Sequence, residues 1–503
     1  MATKADYKSR MNDLYKLMMA RAPKNKNPPP PHDPCFPHHP FNFNQWASNY
    51  WEAGCMLDTL LDYFKLALDE KWKEIIIKAP IRETINAALE TALCHYRKLT
   101  AKNTDHYGNK YPPCMYDDAG WWGNLGAKAY SSQYDEVFGH YKCDFQKIGT
   151  DCYHFMTYGH RNPEGHSWGA PHVWKAIDEG WGCYGQKATK EHPYGQFSSK
   201  ECLQDKQPRF TGGLWQYDMF NKKIDKDCIG IVNSGCNPAK PLKASPGCKG
   251  CWEGPYQITI VNGLYLMLAT RLLASGALLS PPGEELSTIL DNLTSFLHKW
   301  VDKDPPHQLQ ASERLQAKTG LIRERVAIYA DSTPVEWFDS ATFWGGDQGM
   351  IMSGLVEYAK SRGNLPGGVR GDWALKIANG IASGVLDQMI DRTGLHQGLR
   401  GLMKPWLIHG NTLVSGDLPE YCCGVGVFMR CLLHCYNIEP EIKAMVEAFD
   451  PDGQQIYKNM IFAGADASHA GTFPTWGAGN PFLDYFNQMA TLVLAYKLKE
   501  GDK

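Results

Sequence analysis

From Asn44 onward the chain sets its apolar residues three and four positions apart. Trp46, Tyr50, Ala53, Leu57, Leu60, Leu61, Phe64 and Leu68 make one such stripe, and Ile81, Ile85, Ala88, Leu89, Ala92 and Tyr96 a second. That spacing keeps apolar side chains on one face of a helix, so it predicts amphipathic helices packed on a shared core. A third helix is predicted over Asp117–Tyr130. An irregular, aromatic region follows from about 140 to 255. Helices then resume over Ile258–Leu273, Leu286–Trp300, Gly349–Tyr358, Trp373–Met389, Val425–Tyr436 and Tyr485–Tyr496. The alternation expected of strands is nearly missing. A short helix at Tyr7–Met19 precedes the run Pro28–Pro31, which reads as an extended arm or linker. Ten or more helices joined by long glycine-rich connections predict an all-α chain. Its helices pair into a closed toroid, with residues 1–40 as an N-terminal arm and 41–503 as one barrel domain.

Charge narrows the list of partners. Lys and Arg number 52 against 54 Asp and Glu, with no basic block, which argues against nucleic acid or an acidic membrane surface. No apolar run is long enough to span a bilayer. Residues 1–8 are charged and lack the apolar stretch of a secretory signal, so an intracellular chain or a mature form is expected. The 16 tryptophans suit stacking on carbohydrate, and suit a large core equally well.

Cys55, Cys94, Cys431 and Cys435 fall in helical patterns, where a thiol behaves as a small buried hydrophobe. Cys183, Cys202, Cys228, Cys236, Cys248 and Cys251 fall in the irregular region, as disulfides or free thiols of an insertion; their spacing fits no common zinc module. Gly165-His166-Ser167-Trp168-Gly169 fits the G-x-S-x-G pattern, but the residues before it do not read as the buried strand a nucleophile elbow needs. His32, His38 and His39 lie among prolines and read as solvated.

The stretch with the most chemistry is Tyr116-Asp117-Asp118-Ala119-Gly120-Trp121-Trp122-Gly123. Paired carboxylates beside flat aromatic surface suit glycoside chemistry, in which one acid protonates the leaving oxygen and one carboxylate attacks the sugar. The same residues also suit a helix start, with the acids favoured by its positive end and the indoles in the core. A third reading takes the acids as magnesium ligands. Trp121 stands where the third acid of a DDxxD motif would be, so that site would need Asp117, Asp118 and another acid such as Asp347.

Five motifs in order resemble glycoside hydrolase family 76, the endo-α-1,6-mannanase family. They are Tyr116–Gly123; Thr211-Gly212-Gly213-Leu214-Trp215; Ile258–Leu266, which includes Asn262; Trp344-Gly345-Gly346-Asp347-Gln348-Gly349; and Gly426-Val427-Phe428-Met429-Arg430. The resemblance covers most of residues 44–498 and implies an (α/α)6 barrel. It also implies a retaining mechanism without a cofactor, with Asp117 as nucleophile and Asp118 as acid/base. Tyr116, Trp121, Trp122, Gly213, Trp215, Asn262, Trp344, Asp347, Gln348 and Trp476 become candidates for binding a carbohydrate substrate. This chain departs from the family at Gly346-Asp347, where Tyr-Asn is usual, and in the long cysteine-bearing segment between Trp215 and Ile258. Those departures keep two alternatives open. One is a magnesium-dependent isoprenoid diphosphate cyclase on the same barrel; the other is an inactive carbohydrate-binding relative.

Overall fold

The structure is a computed structural model that describes residues 2–21, 50–72, 84, 116–135, 139–158, 256–277, 320–327, 342–362, 371–392, 401–408, 419–475 and 481–499. Eleven helices are found among the described residues. They are α1 Lys4–Arg21, α2 Tyr50–Asp69, α3 Tyr116–Tyr130, α4 Lys142–Tyr158, α5 Thr259–Ala274, α6 Gly345–Arg362, α7 Asp372–Gly384, α8 Gly424–Ile438, α9 Pro440–Glu447, α10 Ile456–His469 and α11 Pro481–Leu498. Six of them form a ring. α2 packs on α3, α3 on α5, α5 on α6, α6 on α8, α8 on α11, and α11 closes back onto α2. Around it, α4 lies against α3 and α5, α7 against α6, α9 against α8, and α10 and α1 against α11. This is the toroid of inner and outer helices that the periodicity predicts.

The inner helices run in the same direction. Early residues meet early residues, as where Trp51 packs on Trp121 and Gly120 on Leu264. Later residues meet later ones, as where Asp58 meets Lys128 and Arg271 meets Glu357. Parallel neighbours need a return segment between them, and among the described residues α4, α7 and the pair α9 and α10 supply it after α3, α6 and α8. The six inner N-termini therefore share one end, where their dipoles add a positive field.

Composition decides which layer a helix joins. α5 is apolar nearly all round and almost wholly buried, as suits an inner helix walled in on three sides. In α1 only Tyr7, Met11, Leu14 and Met18 are fully enclosed, a single stripe at helical spacing, so this helix lies outside. Its docking places the expected start of the N-terminal arm against the barrel.

Local chemistry sets the corners. Glu439 takes an extended conformation before Pro440, as residues before proline do, and this ends α8. Its carboxylate then accepts from the Glu441 N–H, while Pro440 fills the first turn of α9. At the shared N-terminal end, short antiparallel ladders pin the chain. β1 Tyr256–Ile258 pairs with β2 Arg325–Ala327 at the entry to α5, and β3 Thr342–Trp344 pairs with β6 Trp406–Ile408 at the entry to α6. β4 Ile390–Asp391 and β5 Leu402–Met403 make a third pair.

Four expectations are corrected. The irregular region does not begin at 140, because α4 buries Phe145, Ile148, Cys152 and Met156 against α3 and α5. α6 starts earlier than the predicted Gly349, at Gly345, so the glycines of Trp344–Gly349 belong to it. α7 stops at Gly384 and opens into a wider turn over Val385–Met389. α9 and α10 appear where no helix was predicted. The 159–255 region with its cysteines, and the helices expected at 81–96 and 286–300, lie outside the described residues apart from Thr84, which is helical.

Glycines in α3 have a packing reason. A β-carbon on Gly126 would come within 2.7 Å of the Phe145 carbonyl oxygen and 2.8 Å of the Gly149 nitrogen. Both contacts are backbone and cannot turn aside. Gly126→Ala is therefore expected to cost about 1–3 kcal/mol in a urea melt, whereas Gly139→Ala, with open space around it, should cost far less.

Candidate active site

Acids occupy the first turn of four inner helices: Glu52 in α2, Asp117 and Asp118 in α3, Asp347 in α6 and Asp484 in α11. The positive helix ends account for that distribution by themselves. Exposure separates the five. Glu52, Asp347 and Asp484 are buried, at 1%, 0% and 8% exposure. Asp117 and Asp118 are half-buried, the most open of the five.

One turn below Asp117 on the same helix, the Trp121 ring lies 5.9 Å from the Trp51 ring, and the Arg430 guanidinium is 5.8 Å from its centroid. Trp51, which the helical stripe passed over, thus joins the dyad's surroundings. The signal for it was present as Tyr50-Trp51-Glu52 at the start of α2.

Other candidates are placed differently from expectation. Trp122 and Asn262 are fully enclosed, and Trp121 and Trp344 nearly so, so their faces are closed by packing instead of being offered to a sugar. The Trp344 indole is flanked by Gly346 and Gly424, where an added β-carbon would come within 2.4 Å and 2.7 Å of it. Its Nε1 donates to the Tyr421 carbonyl at 2.9 Å. Gly346 is therefore required by the indole beside it, which explains the Trp-Gly-Gly sequence. Gln348 is a clamp: it accepts from Ile322 N and donates to the Ile322 and Trp344 carbonyls, fixing residues 320–324 to α6. Tyr116 opens α3. Gly213, Trp215 and Trp476 lie outside the described residues.

Among the described residues, no three His, Cys, Asp or Glu side chains come together to hold a metal ion, so Asp117, Asp118 and Asp347 do not form such a group.

The rim also holds acids that sequence reasoning missed. Glu324 is buried and accepts a hydrogen bond from the Tyr421 hydroxyl, while its carbonyl accepts from Thr259 N at the head of α5. Asp484 has one buried carboxyl oxygen with no hydrogen-bond partner, and burial pushes its carboxyl up to about 6. A raised folded value means that the protonated form suits the fold. Stability from this group is thus present below pH 4 and lost as pH rises through about 6. Asp484→Asn is expected to raise Tm at pH 8 and to leave it unchanged at pH 4.

Beneath the dyad the barrel is filled with paired charge. Lys128 reaches both Asp58 and Asp62 at 2.6 Å, and Arg430 reaches Asp58 at 3.3 Å. Arg271 meets Glu357 at 2.8 Å, and His434 meets the same carboxylate at 2.7 Å. Burial alone would raise the Glu357 carboxyl, but Arg271 and His434 hold it below the usual range. Cys55, Cys431 and Cys435 are buried free thiols, as their helical positions predict. Burial pushes the Cys431 thiol up to about 11, which leaves it inert at neutral pH.

No protein-family profile matches the chain, and no curated protein matches it. Among solved structures it is similar to a GH76 α-mannanase of Bacteroides thetaiotaomicron, at 9% identity and a TM-score of 0.49, over 98% of this chain and 96% of that one. It is also similar to a family 76 glycoside hydrolase from a bovine Bacteroides thetaiotaomicron strain, at 11% identity and a TM-score of 0.46, over 97% and 77% of the two chains. A likeness of this degree carries neither an activity nor a residue role, which have to come from the site itself.

Proposed function

We propose that this chain is a retaining glycoside hydrolase acting on α-1,6-mannan or a related α-mannoside. The observation that carries this reading is the exposure pattern at the barrel mouth. In a ring of buried first-turn acids, the most open pair is adjacent in sequence and stands a turn above a Trp–Trp–Arg cluster. The choice of mannan rests on the five ordered motifs.

In this reading an Asp117 carboxylate oxygen attacks the anomeric carbon as the glycosidic bond breaks, and Asp118 gives its proton to the leaving oxygen. Asp118 then takes a proton from water, whose oxygen attacks the same carbon and releases Asp117. The scheme needs the two carboxyl groups about 5 Å apart, a span open to neighbouring residues at a helix start. Proton NMR of α-1,6-mannooligosaccharide cleavage tests it, with the α-anomer expected as first product. The β-anomer first would make the enzyme inverting. Binding without cleavage would leave the inactive relative. Turnover of a prenyl diphosphate that stops with a magnesium chelator would overturn the proposal.

A further inference from the structure

Within the buried ion network one donor is left over. Arg430 is 5% exposed, and its Nη1 serves the Cys55 carbonyl at 3.0 Å and Asp58 at 3.3 Å. Its Nη2 is buried and has no hydrogen-bond partner. A buried guanidinium nitrogen without an acceptor is costly, so such a group calls for an explanation.

Three features fix where this donor stands. Its guanidinium is flanked by the Trp121 ring at 5.8 Å and the Phe486 ring at 6.0 Å, so it bridges α3, α8 and α11 across the barrel. Trp121 lies four residues beyond Asp117, about 6 Å along the helix axis. On the far side, Lys128, Asp58 and Asp62 close the barrel. Arg430 thus stands between the accessible dyad and the ionic plug.

Charge selects the ligand. Asp58 already faces the guanidinium as its counter-ion, so Arg430 needs no further anion. Two carboxylates a turn above would also repel one. The acceptor that fits is uncharged. We propose that Arg430 is a ligand-binding residue below the Asp117–Asp118 pair, where Nη2 donates to a hydroxyl oxygen of a neutral sugar. This rests on the glycoside reading of Asp117 and Asp118.

The test is calorimetric titration with a sulfur-linked α-1,6-mannobiose, which resists cleavage, and with mannose and mannose 6-phosphate. Arg430→Lys keeps a cation for Asp58 and removes Nη2. It should keep the wild-type circular dichroism and bind the disaccharide about tenfold or more weakly, the size of one charge-assisted hydrogen bond. Unchanged affinity would sink the Arg430 assignment and leave the proposed function standing. Tighter binding of mannose 6-phosphate than of mannose would overturn the uncharged acceptor. If wild type neither binds nor cleaves α-1,6-mannosides, both proposals fall together. Should Arg430→Lys not fold, wild-type protein labelled with 15N-arginine decides. The disaccharide should shift a guanidinium resonance, and a spectrum without any such shift would overturn the assignment.

Discussion

Asp118→Ala is expected to lower the rate on α-1,6-mannooligosaccharides by about 10²–10⁴-fold, the usual contribution of a positioned general acid. The loss in kcat/KM, which reports the first step, should nearly disappear with an aryl mannoside whose leaving group departs without a proton, while kcat stays low because Asp118 is also the base of the second step. Asp117→Ala should lower the rate at least as far on both substrates, because no carboxylate remains to form the glycosyl–enzyme bond. That contrast assigns the roles. If both variants lose kcat/KM equally on the aryl mannoside, Asp118 is not the acid. Neither change should unfold the barrel, since both side chains are only half-buried and stand in the first turn of a helix. Each should cost at most about 1 kcal/mol through the lost interaction with the helix dipole.

Lys128→Met is expected to destabilise the protein by about 3–5 kcal/mol, the cost of leaving a buried charge without its partner. Lys128 is the shared cation of Asp58 and Asp62, and all three side chains are at most 12% exposed. Burial alone would raise the Asp58 carboxyl, but Arg430, Lys128 and Arg271 overcome that and hold it at about 2. A depressed folded value contributes stability above the ordinary carboxylate range, near pH 4, and that contribution is lost as pH falls through about 2. Removing Lys128 should therefore bring acid unfolding on at higher pH as well as lowering stability at pH 7. Adding Asp62→Asn to Lys128→Met should recover part of the loss, because Asp62 is the carboxylate that loses its cation, whereas Asp58 keeps Arg430. Urea melts at pH 7 and pH 4 on the single and double variants check both statements. An unchanged midpoint in Lys128→Met would mean that water reaches the plug.

The two largest effects fall on one helix, at opposite ends of the same apolar stripe. α3 carries the dyad in its first turn and Lys128 in its last. Its glycines at 120, 123 and 126 let α4 and α5 approach closely, and Asn124 ties it to α5 by donating to the Leu264 carbonyl as well as to the Gly120 carbonyl of its own helix. A helix held this rigidly keeps two carboxylates at fixed positions, as catalysis by orientation requires.

By itself the sequence determined that this chain would be helical, where most inner helices would run, and that Asp117 and Asp118 would share a helix start. Apolar spacing is local information, and an amphipathic stripe states its own period without knowing its partner. Helix propensity disfavours glycine, so the sequence pattern starts this helix only at Gly349. The fold overrides that preference, since the Trp344 indole needs the bare backbone of Gly346 and Gly424. α9 and α10 escaped notice because outer helices show only a thin apolar stripe, as with Ile442 and Val446 in α9.

Only the tertiary structure decided which acids stay open to solvent, that Gln348 serves the backbone, and that Lys128 and Arg430 neutralise Asp58. Those facts depend on residues 26, 70 and 372 positions apart (Ile322 to Gln348, Asp58 to Lys128, Asp58 to Arg430). Spacing along a chain carries no record of such meetings. They exist because the ring of six helices closes, and closure leaves one pair of helix-start acids more open than the rest, above a buried plug of charge.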